Sequence, residues 1–293
     1  MSGPRISVCI VCRNEADKLV DCLESAKWAD EVLVMDLESD DDSAAVAARH
    51  GARVVPHARV PIVELVRNTI ADEASGEWIL ALDPDERVTP GLAAELRAAS
   101  TRDDIDVVTI PVMNHDFGYP AATSMHRYDP KPRMYRRGVV RWPTEPNELP
   151  VFDPARVHAV PSRDDVVLVH ERNRTIVEAL ERVLRYAPAE AEALLASGEA
   201  FTARKMLHRA GSKAYKQFVV ARSLEEGVPG LMRAFVLASF HFYVWACFWQ
   251  LSGAENTERD RRYLRRLARP LRLLPPLVSL SGRLRRAARR ERP

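Results

Sequence analysis

Three polar clusters each follow a short apolar run. Arg13-Asn14-Glu15 comes after Ile6 to Val11, Asp36 with Ser39 and Asp41 after Glu31 to Met35, and Asp83-Pro84-Asp85-Glu86 after Trp78 to Leu82. One such cluster reads equally well as a turn with a helix cap, since Asp and Ser favour both positions. Three in the same relation to three strands point to a ligand-binding rim. The carboxylates of Asp83 and Asp85 are the most informative. Strand geometry delivers them to the edge of a sheet, where like charges repel unless a cation neutralises them, and hard oxygen donors suit magnesium or manganese. An ion held there offsets the negative charge that builds on a departing diphosphate. Taken alone, Asp-x-Asp is most often a solvated turn.

The elements that must position these groups alternate along the first half of the chain. Strand-like runs at Ile6 to Val11, Glu31 to Met35, Arg53 to Val55, Trp78 to Leu82 and Asp106 to Val112 are separated by helical patterns. Those patterns lie near Asp17 to Ala26, Ser43 to His50, Val63 to Ala74 and Gly91 to Ala99, the last after a Thr89-Pro90 start signal. This predicts a doubly wound α/β sheet, in which ligands bind beyond the carboxyl ends of the strands. From Asn114 to Asp165 prolines and aromatics dominate, as expected of loops and irregular strands over an acceptor pocket. Beyond Arg174 the chain reads helical, at Ile176 to Leu195, about Phe201 to Glu226, and Leu231 to Leu251 after a break at Gly227-Val228-Pro229-Gly230.

At 293 residues, 46% hydrophobic and 29% charged, the chain can bury a core domain with a helical appendage. Its net charge of +2 is unevenly spread: from Glu258 onward there are 13 basic and 3 acidic residues, a net +10, which leaves −8 on the rest. A basic end on an acidic body suggests an anionic partner. Phe235 to Leu251 is aromatic-rich and nearly uncharged, suited to the membrane interface, to a span or to core packing. The arginines and leucines that follow resemble an amphipathic surface anchor, or else a solvated tail. Ile6 to Cys12, entered directly from Met1 to Arg5 and followed at once by Arg13, Asn14 and Glu15, is too short for a secretory signal, so no export is expected. Cys9 and Cys12 lie within a strand-like run with no second pair, so core thiols in a reducing compartment are expected rather than zinc.

The order of the motifs carries a resemblance. Ser7 to Glu15, then Cys22-Leu23-Glu24-Ser25 running to Glu31-Val32, then Val34-Met35-Asp36 with Ser39 and Asp41, then Arg67-Asn68, then Ala74 to Arg87, are similar to glycosyltransferase family 2. Within it they look most like the branch that includes β-glucosyltransferases of lipopolysaccharide core assembly. The resemblance is dense to about residue 100 and patchier to about 250. It implies a GT-A fold, a nucleoside-diphosphate sugar donor (UDP-sugar favoured), a divalent Mg or Mn, and inversion by direct displacement. Carried over, Arg13, Asn14 and Glu15 line the nucleotide pocket, Asp36 meets the base with Arg67 and Asn68 beside it, and Asp83 lies nearer the ribose or donor sugar. Asp85 becomes the principal metal ligand, shared with Asp83 and completed by His170 in Val167-Leu168-Val169-His170-Glu171. After Arg141-Trp142 related sequences often end in His-Glu, whereas this chain has Thr144-Glu145-Pro146-Asn147-Glu148. Glu148 then stands where the catalytic base would be, with Glu145 as second candidate and Asn147 in place of the histidine. Leu37 to Asp42 also departs from the family pattern and is expected to be a solvated helix start without catalytic role. Tyr128, Asp129, Arg133 and Arg136 fall in the acceptor-side segment, where Arg either grips phosphate oxygens or forms surface ion pairs.

The expected organisation is a catalytic domain over 1–172, divided near 112 into nucleotide-sugar and acceptor halves, a helical extension over 173–257 and a basic tail over 258–293. Expected partners are the donor, a glycan, lipid-linked or small-molecule acceptor, and an anionic membrane surface at the inner face of the cell membrane. Nucleic acid is not expected, because the tail has no recognition fold and the acidic body opposes a polyanion. A nucleotidyltransferase or a dehydrogenase would need a glycine-rich phosphate loop after the first strand, and none is there. A catalytically inactive scaffold of the same fold stays open.

Overall fold

The computed structural model describes residues 5–121, 127–143 and 150–271. Its centre is β1 (Ile6–Cys12), whose seven residues are all buried, as a parallel strand covered on both faces must be. Side chains alternate across it. Ile6, Val8, Ile10 and Cys12 enter one core with α1 (Ala16–Ala26), while Cys9 and Val11 enter the other. Cys9 and Cys12, three apart, therefore lie on opposite faces of the sheet and cannot share a metal. Burial and the neighbouring Asp36 push the Cys12 thiol up to about 12.

Around β1 run β2 (Glu31–Asp36), β3 (Arg53–Pro56) and β4 (Trp78–Leu82), all parallel to it. The helices α1, α2 (Ser43–Arg49), α3 (Glu64–Glu73) and, after β5 (Glu86–Val88), α4 (Pro90–Ser100) follow in alternation. In α1 the buried Leu19, Cys22, Leu23 and Ala26 recur at helical spacing. Thr89 caps α4, accepting from the Leu92 amide, with Pro90 in the first turn where its missing N–H costs nothing. Gly76 lets β4 run beside β1: a Cβ there would meet Ser7 Oγ at 2.6 Å and Arg5 O at 2.9 Å.

The sheet continues through β6 (Val107–Asp116), the short β7 (Tyr119–Pro120), β8 (Asp129–Arg136), β9 (Val157–Ala159) and β10 (Leu168–Asn173). Its order is β3-β2-β1-β4-β8-β6-β10-β5, with β7 and β9 also on β6. The stretch expected to be loops and irregular strands supplies β7, β8 and β9 to the sheet. Pro130 and Pro132 obscure β8, yet β4 pairs with β8 only over Met134 to Arg136. The prolines lie where β6 is the partner and the other side is open, at a register shift that tolerates missing donors.

The chain divides into two units, 1–176 with 224–230, and 177–223 with 231–293. Residues of α5 (Ile176–Ala196) and α7 (Gly227–Leu251) form the core of the second: Ala187, Ala191, Val244, Trp245 and Phe248 are buried, and the Phe201 ring lies 6.2 Å from those of Trp245 and Phe248, tilted to the first and edge-on to the second. α6 (Ala203–Tyr215) stops well before Glu226, giving way to a π-turn at Lys216–Val220 and a 3-10 turn at Ser223–Glu226. The expected break at Gly227 to Gly230 is instead the first turn of α7. Gly227 takes the positive φ (69°) at the entrance, and Pro229 sits where its missing N–H would have had no partner. α8 (Glu258–Leu271) closes the described chain.

Candidate active site

Past β1, Arg13 is exposed and Asn14 turns the backbone into the left-handed region (φ 55°). That turn is tied to the loop after β2. The Asn14 amide donates to Ser39 Oγ at 3.0 Å, and Asn14 Oδ1 accepts from the Asp40 amide at 2.7 Å. Glu15 N donates to Ser43 Oγ at 3.0 Å and Ala16 N to Asp41 Oδ2 at 3.1 Å, while Ser39 N donates back to Asp36 Oδ2 at 3.2 Å. Burial works against the ionised Asp41 carboxyl, but hydrogen bonds from Ser43 and Ala16 outweigh it and lower its pKa. Leu37 to Asp42 is therefore no mere solvated helix start: its Ser39, Asp40 and Asp41 lock the first two strand-end loops together, leaving Arg13 and Asp36 on that rim.

At the end of β4 the two aspartates have different surroundings. Asp83 Oδ1 accepts from Arg67 Nη2 and Oδ2 from Arg133 Nη2, both at 2.8 Å. Burial alone would raise the Asp83 carboxyl, but Arg133 and Arg67 hold it well below the usual carboxylate range. The same Arg133 nitrogen reaches Glu86 Oε1 at 2.6 Å, and Glu86 Oε2 accepts the Asp83 amide at 2.9 Å. Glu86 is fully buried, and burial, with Asp83 adding to it, raises its pKa against the pull of Arg133. Arg133, expected in a phosphate grip or a surface ion pair, is an internal clamp. Arg67 also lies over the Trp142 ring at 4.8 Å, and that indole donates to Tyr135 Oη at 3.1 Å. Asn68, expected beside the base, uses both ends of its amide on the Trp142 backbone, at 2.9 and 3.0 Å.

Asp85 instead faces His170. Strand register sets this, since β10 pairs His170 with Glu86 on β5 and with Asn114 on β6. His170 Nδ1 lies 2.8 Å from Asn114 Oδ1, so the ring donates there and turns Nε2 toward Asp85 Oδ2, 3.5 Å away. Two acceptors facing at that distance repel unless a proton or a cation lies between them. A carboxylate oxygen and an imidazole nitrogen are a donor set that manganese or magnesium accepts, so the pair fits a divalent ion. Among the described residues no group of three or more His, Cys, Asp or Glu forms a closed cage, and such an ion would keep positions for ligand oxygens and water.

The structure thus gathers Asp83 with Arg67 and Arg133, and Asp85 with His170, and sets Arg13, Asn14, Glu15 and Asp36 on the neighbouring rim. Glu145 and Glu148 lie outside the described residues. Sequence reasoning missed Glu86 and Asn114, which anchor Arg133 and orient His170. Glu86 had a signal, being the third acid of one run, whereas an asparagine at the end of a strand announces nothing.

The family model described as Glycosyl transferase family 2 matches residues 7–160. An uncharacterised glycosyltransferase of Rickettsia felis is 32% identical over 136 residues, 45% of this chain and 44% of that protein. A TPR repeat-containing protein of Synechococcus elongatus is 36% identical over 95 residues, 32% of this chain and 24% of its own length. The chain spans less than half the length of either relative. Among solved structures, glucosyl-3-phosphoglycerate synthase from Mycobacterium tuberculosis, in complex with Mn2+, UDP and glucosyl-3-phosphoglycerate, overlaps with a TM-score of 0.32 at 24% identity, over 39% of this chain and 45% of that one.

Proposed function

The chain belongs to glycosyl transferase family 2 and has its GT-A fold, and from that premise we propose that it transfers a sugar from a nucleoside-diphosphate sugar to an acceptor hydroxyl by a single inverting displacement. The observation that carries this reading is the facing pair of Asp85 and His170, 3.5 Å apart beside the Arg-clamped Asp83, at the carboxyl end of β4. Asp85 and His170 would hold Mg2+ or Mn2+, which when bound offsets the charge of the diphosphate. Asp83, its two oxygens fixed by Arg67 and Arg133, supplies an ionised acceptor for ribose or donor-sugar hydroxyls rather than a second ligand. Asp36 and Glu15 border the base, uridine being favoured, and the exposed Arg13 is placed for diphosphate oxygens. Asn68 and Arg67 fix Trp142, which stands just ahead of 144–149 in the chain. Glu148, or else Glu145, there takes the proton from the attacking hydroxyl.

The acceptor class proposed is an envelope or lipid-linked glycan, and the working place the inner face of the cell membrane. Ser223–Leu251 is long and apolar enough to cross a membrane by length and composition, and a third of its most apolar 18 residues is buried. Phe235, Phe242 and Trp249, spaced by seven on α7, are all exposed. A helical extension lying in the interface accounts for both.

The first test is release of nucleoside diphosphate from a panel of nucleotide sugars, with manganese, magnesium or chelator, for the wild type, Asp85→Ala and His170→Ala. Turnover of one donor that needs metal and falls by about 100-fold or more in Asp85→Ala is expected. Absence of binding and turnover with every donor, acceptor extract present, would turn the reading to an inactive scaffold.

A further inference from the structure

The helical unit carries a second site that sugar transfer does not use. A pocket of about 350 Å³ is lined by Arg204 of α6 and by Arg259, Arg262, Tyr263 and Arg266 of α8, a volume within the roughly 300–1,000 Å³ of small-ligand sites. Arg259, Arg262 and Arg266 recur at offsets of three and seven and so share one face of α8. Glu258, at the start of α8, pairs with Arg265 and lies 3.6 Å from Arg261 and 3.9 Å from Arg262 of the pocket. Arg204, Arg259 and Arg266 form no ion pair with a described residue. Asp260 and Thr202 also border the pocket, but their side chains serve as caps. Asp260 Oδ1 accepts from the Ala203 amide at 2.9 Å and Oδ2 from Thr257 Oγ1 at 2.7 Å, and Thr202 Oγ1 accepts from the Lys205 amide at 3.2 Å.

Four guanidinium groups against one carboxylate around a single cavity repel one another. All four are exposed, and they come from two helices onto one space. Their planar donor forks match the oxygens of a phosphate, which can take paired hydrogen bonds from each. Tyr263 adds a hydroxyl donor and an aromatic wall.

We propose that this pocket binds a phosphate group, carried either by a free phosphate compound or by a phospholipid headgroup. The site lies wholly within the helical unit and does not depend on the sugar-transfer reading, so either can fail alone.

The test uses the full chain in chelator, without sugar donor. One arm titrates inorganic pyrophosphate calorimetrically. The other sediments the protein with phosphatidylcholine vesicles with or without phosphatidylglycerol. Arg259→Gln/Arg266→Gln removes two charges from the pocket, Arg204→Gln removes one from the other helix, and Arg261→Gln/Arg265→Gln removes two from the Glu258 side of α8. Both pocket variants are expected to weaken binding by about tenfold or more, while the Glu258-side variant binds as the wild type does. Loss in the pyrophosphate arm assigns a free phosphate ligand, and loss confined to phosphatidylglycerol vesicles assigns a headgroup. The proposal is overturned if neither probe binds the wild type, or if the two double variants lose binding equally, which is what diffuse charge attraction would give.

Discussion

Arg133 spans two carboxylates of unlike character, one on the rim and one sealed inside. Asp83 is about a third exposed, with its side chain at 32%, while Glu86 has no exposure at all. Removing the shared cation strands Glu86 in the core. Arg133→Ala is therefore expected to cost about 3–5 kcal/mol in urea unfolding, and a loss below about 1 kcal/mol would show that Glu86 takes its proton and needs no partner. The two acids also pull stability in opposite directions with pH. Asp83 has a folded pKa below its unfolded value, so the unfolded chain binds more protons, and its contribution is complete above about 3.9 and lost as pH falls through the window beneath. Glu86, with its pKa raised, contributes most when protonated and less as pH rises past its unfolded value. Unfolding midpoints measured between pH 2.5 and 5 should fall less steeply toward acid in Asp83→Asn than in the wild type, and equal slopes would refute the clamp. By residue type and position Asp83 and Asp85 were alike, a pair of acids after one strand, and only the family resemblance gave them different roles. The arrival of Arg67 from α3 and Arg133 from β8, against His170 from β10, separates them physically.

At the level of elements the site depends on close strand placement and on loops that brace each other. Gly76 N donates to Ser7 Oγ at 2.9 Å, and this contact has no room for a side chain. Gly76→Ala should cost roughly 1–3 kcal/mol by forcing β4 from β1, and Ser7→Gly, by opening the 2.6 Å contact, should return part of that loss in the double variant. Additive effects in chemical denaturation would mean that the backbone contact with Arg5 governs instead. The first four strands and four helices were legible almost to the residue, because local apolar periodicity and the Thr89-Pro90 cap determine them. β8 was not, since proline content argues against a strand unless the open side of its neighbour is known. The first turn of α7 was misread for the same kind of reason: glycine and proline interrupt a helix in mid-course but are well suited to begin one.

At the scale of the whole chain, positive charge gathers from Glu258 onward, and α7 just before it carries exposed aromatics. On α7, Phe235 is 65% exposed and Trp249 40%, a large uncovered aromatic stripe for a helix in water. Replacing Phe235, Phe242 and Trp249 by serine is expected to reduce sedimentation with neutral phosphatidylcholine vesicles while leaving donor-only hydrolysis unchanged. Undiminished sedimentation would place the apolar stripe against protein rather than lipid. The sequence by itself determined the family, the alternating α/β order, the three polar clusters at strand ends and the basic C-terminal stretch, because each is written in residues close together along the chain. Tertiary structure alone decided which acid is clamped and which faces a histidine, that Asn68 holds Trp142, and that four arginines share one pocket. Those arrangements arise from strand register and helix packing, which join residues as far apart as Asp85 and His170, or Arg204 and Arg266, and no local pattern records such distances.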